Sequence, residues 1–299
     1  MKRAGMTIMM LAVAVFVAAQ QPTTGQQNQP SAQPGTAQQG ATAPQGKRPP
    51  QAKTQPEFEA YKAAIASQND PAAMEKAADD FATKFPTSEL RTILYRTLMR
   101  VYQNANNGDK MSETAQKILK IDPDDPEALV NSAEVIAERT RDTDLDKDQR
   151  WDEAAKEAQH ALETVDTDTP AGMQPNQIEL YKGLVRSTAY SILGSVADHR
   201  EKYPEAENYY RKSIDALPSQ PDPLVILRLG LALDKQGKYA DALKEVNRAV
   251  ELTQENTSAG KVARQERDRL VQLTGGGSNP APGSNPPAGT APNSTQPPH

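Results

Sequence analysis

Five carboxylates stand closest to chemistry in this chain. Asp142, Asp144, Asp146, Asp148 and Glu153 occupy positions 1, 3, 5, 7 and 12 of a twelve-residue window, a spacing at which hard oxygen donors can surround a calcium ion. A second candidate is Ser258 with Lys261 three residues on, a hydroxyl and an amine in the arrangement of a nucleophile and its base. Beyond these the inventory is thin. His160, His199 and His299 are scattered without metal-ligand spacing, and no cysteine is present, so there is neither a thiol nucleophile nor a disulfide. Phosphate-cradling loops and dinucleotide fingerprints are missing too. These residue types imply no cofactor and point away from an enzyme.

Both candidates also have ordinary readings. The acidic window is similar to an EF-hand calcium loop, but position 6 is Lys147 where the sharp turn needs Gly, and Gln149 and Arg150 fill positions 8 and 9. Trp151 reads as the start of a helix, which would place Glu153 in its first turn, and acids before a helix N-terminus complement its dipole. A calcium-responsive structural module through 142–153 is therefore the alternative function. Ser258-Ala259-Gly260-Lys261 has the S-x-x-K spacing of penicillin-interacting serine enzymes without their companion motifs. Ser258 serves equally as the N-cap of a charged helix through Leu273.

The chain ends bound the setting. Met1-Lys2-Arg3 precedes an uncharged apolar run from Ile8 to Ala19, and Val17 and Ala19 supply small residues ahead of Gln20. This is the layout of a secretory signal peptide over 1–19, and a twelve-residue run is short for a span of roughly 20. Residues 20–54 are rich in Gln, Pro and Gly, and 274–299 in Gly, Pro and Asn. Such composition buries too little apolar surface to offset ordering entropy, so both are expected to be disordered arms. With no cysteine for a lipid anchor, the expectation is a periplasmic or secreted protein without stable membrane insertion once the signal is cleaved.

The charge is uneven. All 39 acids and 29 of the 34 Lys and Arg residues lie within 55–273, so the helical region is net acidic. That balance disfavours nucleic acid as a partner. Lys47, Arg48 and Lys53 are too few for more than weak contact with anionic lipid.

Between Phe58 and Leu273 the apolar residues follow the helical period, and the pattern returns every 34 to 36 residues. Leu229-Gly230, Leu233, Gly237, Tyr239, Ala242, Val246 and Ala249 form the clearest copy. Thirty-six residues earlier stand Leu193-Gly194, Ala197, Tyr203, Ala206, Tyr210 and Ser213. A third copy runs from Thr92 to Asp125, with Met99 in a slot usually small. Gln55–Ser88 makes a weaker unit with Lys62 as its misfit, and Pro126–Asp168 one whose connection is about nine residues too long. Pro170 to Pro175 breaks the chain before Asn176 caps a helix longer than one repeat.

These residues resemble the tetratricopeptide repeat family, whose unit is two antiparallel helices packed through small residues. The resemblance covers about residues 55–256. It implies an all-α fold, an α-α superhelix of five helical hairpins plus a C-terminal cap helix over 55–273. It further implies a concave face lined by the first helices, used to bind a protein or peptide partner. In the family that face carries the second, fifth, ninth, twelfth and thirteenth positions of each unit. Here these include Ile93, Arg96, Arg100, Gln103 and Asn104, then Ser191, Ser195, Asp198 and His199, then Leu224, Leu227, Leu231, Asp234 and Lys235. Arg96 and Arg100 share a helix face and suit a partner's carboxylate, unless they are paired internally, for instance with Glu59. Leu224, Leu227 and Leu231 would floor an apolar groove or pack in the core. The Lys and Asn pattern of chaperone-tail-binding members is not reproduced, so that partner class does not follow. The expected function is a non-enzymatic interaction scaffold of the bacterial cell envelope.

Overall fold

A computed structural model describes residues 49–275. The expected signal peptide (1–19), the arm up to residue 48, the tail from 276, and Lys47, Arg48 and His299 lie outside the described residues.

The described residues form eleven helices and no strand: α1 (Gln55–Ala66), α2 (Pro71–Lys84), α3 (Leu90–Asn104), α4 (Gly108–Leu119), α5 (Pro126–Arg139), α6 (Lys147–Thr164), α7 (Pro175–His199), α8 (Tyr203–Ala216), α9 (Pro223–Lys235), α10 (Tyr239–Leu252) and α11 (Ser258–Thr274). Their boundaries follow from side chains that satisfy the first-turn N–H groups. Thr54, Asp70, Asn107, Asp125, Asp222 and Thr257 each accept a backbone hydrogen bond. Pro71, Pro126, Pro175 and Pro223 occupy first helical positions, where their missing N–H is harmless. Two expected caps are corrected. The last helix is capped by Thr257, with Ser258 its first residue, and α7 starts after Gln174, whose N–H donates to Gln177 Oε1 at 2.9 Å, rather than at Asn176.

Consecutive helices pair as hairpins, α1 with α2 through α9 with α10, and α11 packs on the last pair. Three hairpins turn identically. Asn106, Glu201 and Gly237 have φ of 53°, 58° and 74°, and Glu201 and Gly237 lie 36 residues apart. The left-handed backbone lets a three-residue connection reverse the chain, which Gly does without strain.

Hairpin halves meet where small residues admit large ones. A Cβ on Gly194 would lie 2.6 Å from the Tyr210 ring, and one on Gly230 would lie 2.6 Å from Val246 Cγ2. Both members repeat at a spacing of 36. In the second hairpin the sizes are reversed, with Met99 on α3 and Ala115 on α4 buried in one cluster. Lys62 leaves the α1–α2 interface altogether and lies over the Phe58 ring at 5.4 Å, while Tyr61 and Ala64 fill the core. The buried apolar residues form three successive clusters along the stack, with α5 and α7 each contributing to two.

The long connection of the third hairpin resolves into seven loop residues, 140–146, where the others have three or four, and extra helix mainly at the start of α6. It docks on the end of α7. Arg200 bonds Asp152 at 2.7 Å and the Asp148 carbonyl at 3.2 Å, and His199 stacks on Trp151 with centroids 5.1 Å apart. No described helix is long and apolar enough to cross a membrane.

Candidate partner-binding face

The first helices α3, α7 and α9 carry every expected partner-binding residue, and the structure separates these into distinct groups. Arg96 and Arg100 are engaged within the fold. Arg96 Nε donates to Asp125 Oδ2 at 2.8 Å. Arg100 makes a bidentate contact with Glu127, both distances 3.2 Å. The acids come from the start of the next first helix, α5, and Glu59 is not involved. Glu127 sits at the second position of its own unit, so the pairs run as a ladder between neighbouring repeats. Arg96 also lines a groove of about 490 Å³ with Arg91, Ile93, Ile121 and Thr169.

Leu227 is 2% exposed and packs in the third core cluster, which corrects its expected place in a groove. It sits where α9 meets its neighbours, so burial against the core outweighs any surface role. Leu231 is half-buried and Leu224 lies at the surface. Gln103 is half-buried and Asn104 exposed at the end of α3. His199 faces the α5–α6 loop, its Nδ1 3.6 Å from Asp142.

Ser195 enters a different neighbourhood. It lines a cavity of about 70 Å³ enclosed by Glu134, Ala137 and Glu138 of α5, Ser187, Thr188, Ser191 and Ile192 of α7, and Asp222, Val225 and Arg228 at α9. Burial raises the Glu134 carboxyl to about 7, helped by repulsion from Glu138 and Asp222 and opposed by Arg228. Glu138 is also raised, by desolvation, with Arg228 acting the other way. Glu134 keeps part of its surface, so the cavity is one that water reaches but does not fully solvate.

Glu134, Glu138 and Arg228 were not among the expected site residues. The signal was available for two of them: counted from Pro126, Glu134 and Glu138 fall at the ninth and thirteenth positions of the third unit.

The proposed calcium set does not assemble. Lys147 begins α6, so Asp148 and Glu153 lie on a helix whose residues turn about 100° apart. Asp144 instead accepts the Arg141 N–H at 2.9 Å and sits 3.7 Å from Arg150 Nη1. Asp142 turns to His199. Among the described residues no group of three or more His, Asp or Glu is placed to hold a metal. The missing Gly at the sharp turn is the physical reason. Ser258 and Lys261 are both exposed on the first turn of α11.

No family model and no curated protein sequence matches the chain. Among solved structures, Pseudomonas aeruginosa pilF aligns over 75% of this chain and 96% of its own, at 18% identity and TM-score 0.48. MamA protein aligns over 65% and 92%, at 18% identity and TM-score 0.45. TTC0263, a thermophilic TPR protein of Thermus thermophilus, aligns over 73% and 98%, at 11% identity and TM-score 0.41. The chain's own geometry carries the assignment: helical hairpins, a left-handed turn residue in three of them, and glycine crossings 36 residues apart. The fold is a tetratricopeptide-like array of helical hairpins. In this array the Arg96 and Arg100 pairs join two hairpins, while the Glu134 cavity opens where three hairpins meet.

Proposed function

We propose that this chain is a non-catalytic interaction scaffold of the bacterial cell envelope. It binds a segment of a partner protein along the face built by α3, α5, α7 and α9. The observation that carries this reading is the cavity shared by three successive first helices. It sits on the face that such an array presents, and it is too small for an ordinary small-molecule site, which runs roughly 300–1,000 Å³. Export to the periplasm is part of the proposal and rests on the apolar run Ile8–Ala19 after Lys2-Arg3.

The test is site-directed photocrosslinking in intact cells. Probes at Asn104, Ser195 and Lys235 on first helices are compared with probes at Lys76 and Lys244 on second helices. One protein captured at the first set and not the second supports the face. Capture at both sets alike, or only at the second, overturns it. Fractionation with N-terminal sequencing tests export: a mature N-terminus at Gln20 in the periplasm is expected, and an intact Met1 in the cytoplasm overturns it.

A further inference from the structure

We propose that the cavity between α5, α7 and α9 receives a lysine or arginine side chain of the bound segment. This deepens the scaffold reading and rests on it.

The lining of the cavity carries the inference. Several half-buried or buried carboxylates elsewhere are paired with cations: Asp125 with Arg96, Glu127 with Arg100, Glu75 with Lys110 and Glu207 with Lys238. Glu134 and Glu138 make no hydrogen bond and no ion pair within 4.0 Å among the described residues. Arg228 shares the cavity, acts on both electrostatically, and contacts neither. Glu134 is half-buried and Glu138 is exposed at the cavity rim, and a partly desolvated carboxylate without a partner is destabilising unless something compensates it.

The lining defines the compensating group. Glu134, Glu138 and Asp222 outnumber Arg228, so a cation is favoured over an anion. Thr188, Ser191 and Ser195 add hydroxyl acceptors from α7. About 70 Å³ accommodates the end of one side chain. An ammonium or guanidinium has several donors to spread over two carboxylates and these hydroxyls. Ala137, Ile192 and Val225 supply an apolar wall for its methylene stem.

Proton and cation compete for Glu134. Its carboxyl is faced by Glu138 on its own helix and by Asp222 and Arg228 from α9, while α7 lines the cavity with uncharged groups. Occupancy therefore strengthens as pH rises from about 6 to 8, through the titration of Glu134 near 7.

The experiment selects phage-displayed random peptides on the full chain, keeping those that block crosslinking at Ser195. A selected peptide is remade with its basic residue replaced by norleucine, and both are titrated against wild type, Glu134→Gln and Glu138→Gln. Circular dichroism checks that each variant is folded. The expected result is an obligatory Lys or Arg, weakened on the order of tenfold by norleucine, as for one lost charge-assisted hydrogen bond. Glu134→Gln should abolish most of that difference and flatten the pH dependence. Peptides that occupy the face but change affinity less than about twofold on either substitution overturn the cation pocket and leave the scaffold standing. Failure to obtain any peptide on this face removes both.

Discussion

Asp125 ties two repeats together by serving Arg96 and its own helix at once. Its Oδ2 accepts from Arg96 Nε at 2.8 Å, and its Oδ1 accepts from the Ala128 N–H at 2.9 Å, capping α5. The Asp125 side chain is 0% exposed and that of Arg96 15%. Removing the cation would leave a buried carboxylate with only its capping bond. Arg96→Ala is therefore expected to destabilise the chain by about 3 kcal/mol, the scale for breaking a buried pair. Arg100→Ala, at a more exposed pair, should lower stability by about 1 kcal/mol. Urea denaturation checks both, and equal effects would refute the ranking. For the same reason Arg96 is a poor probe of partner binding.

The crossing of α7 and α8 leaves no room for a methyl group. Gly194→Ala would place a Cβ 2.6 Å from the ring of Tyr210, which is 1% exposed. Overpacking of this kind costs about 1–3 kcal/mol, which exceeds the roughly 0.5–1 kcal/mol that alanine contributes to a helix interior. The expected net effect is a lower Tm. Combining it with Tyr210→Leu should lose less stability than the two single effects added, and strict additivity would show that the two residues do not compete for space.

Glu201 holds a left-handed conformation, φ 58°, in the turn where its counterpart is Gly237. That conformation costs roughly 1–2 kcal/mol for a residue with a Cβ. Glu201→Gly should raise stability by about 1 kcal/mol, and Gly237→Ala should lower it by a similar amount. Thermal melts of the pair check this. A destabilising Glu201→Gly would mean that contacts of the Glu side chain outweigh backbone strain.

Stability should also record the titration of Glu134. Its carboxyl is raised to about 7, against roughly 4.3 in an unfolded chain. Between those values the native state holds the extra proton, so folding stability contributed by this group falls as pH rises. Below the unfolded value there is no penalty. Glu134→Gln removes the titration, so the variant should gain on wild type from pH 4 to pH 8, read as the difference in Tm at each pH. A constant difference would show that Glu134 is fully hydrated in the free protein.

Several of these relationships were legible in the residues. Gly194 with Tyr210 and Gly230 with Val246 recur at one spacing, and a crossing that admits a ring or a Val requires a residue without Cβ. Met99 and Ala115 are both buried in the first core cluster, with the larger residue on the first helix and the smaller on the second, which a pattern of small residues alone does not show. Lys62 was visible as a misfit, but that it would turn outward and yield the core to Tyr61 and Ala64 was not. The acidic window had the composition of a cation site. Its backbone course depended on where α6 begins, and Lys147, standing where a calcium loop turns sharply at Gly, opens that helix instead.

By itself the sequence determined what is local and periodic: the helices, the 36-residue unit, and the uncharged composition of the tail. Helical period and steric limits on the backbone act over a few residues and are written directly in residue type. Only the tertiary structure decided which charges meet. Arg96 finds Asp125 across 29 residues, and Glu134 shares a cavity with Arg228 from another repeat without touching it. Pairing, burial and the resulting pKa depend on distances between hairpins, which the stacking geometry sets and no single repeat contains.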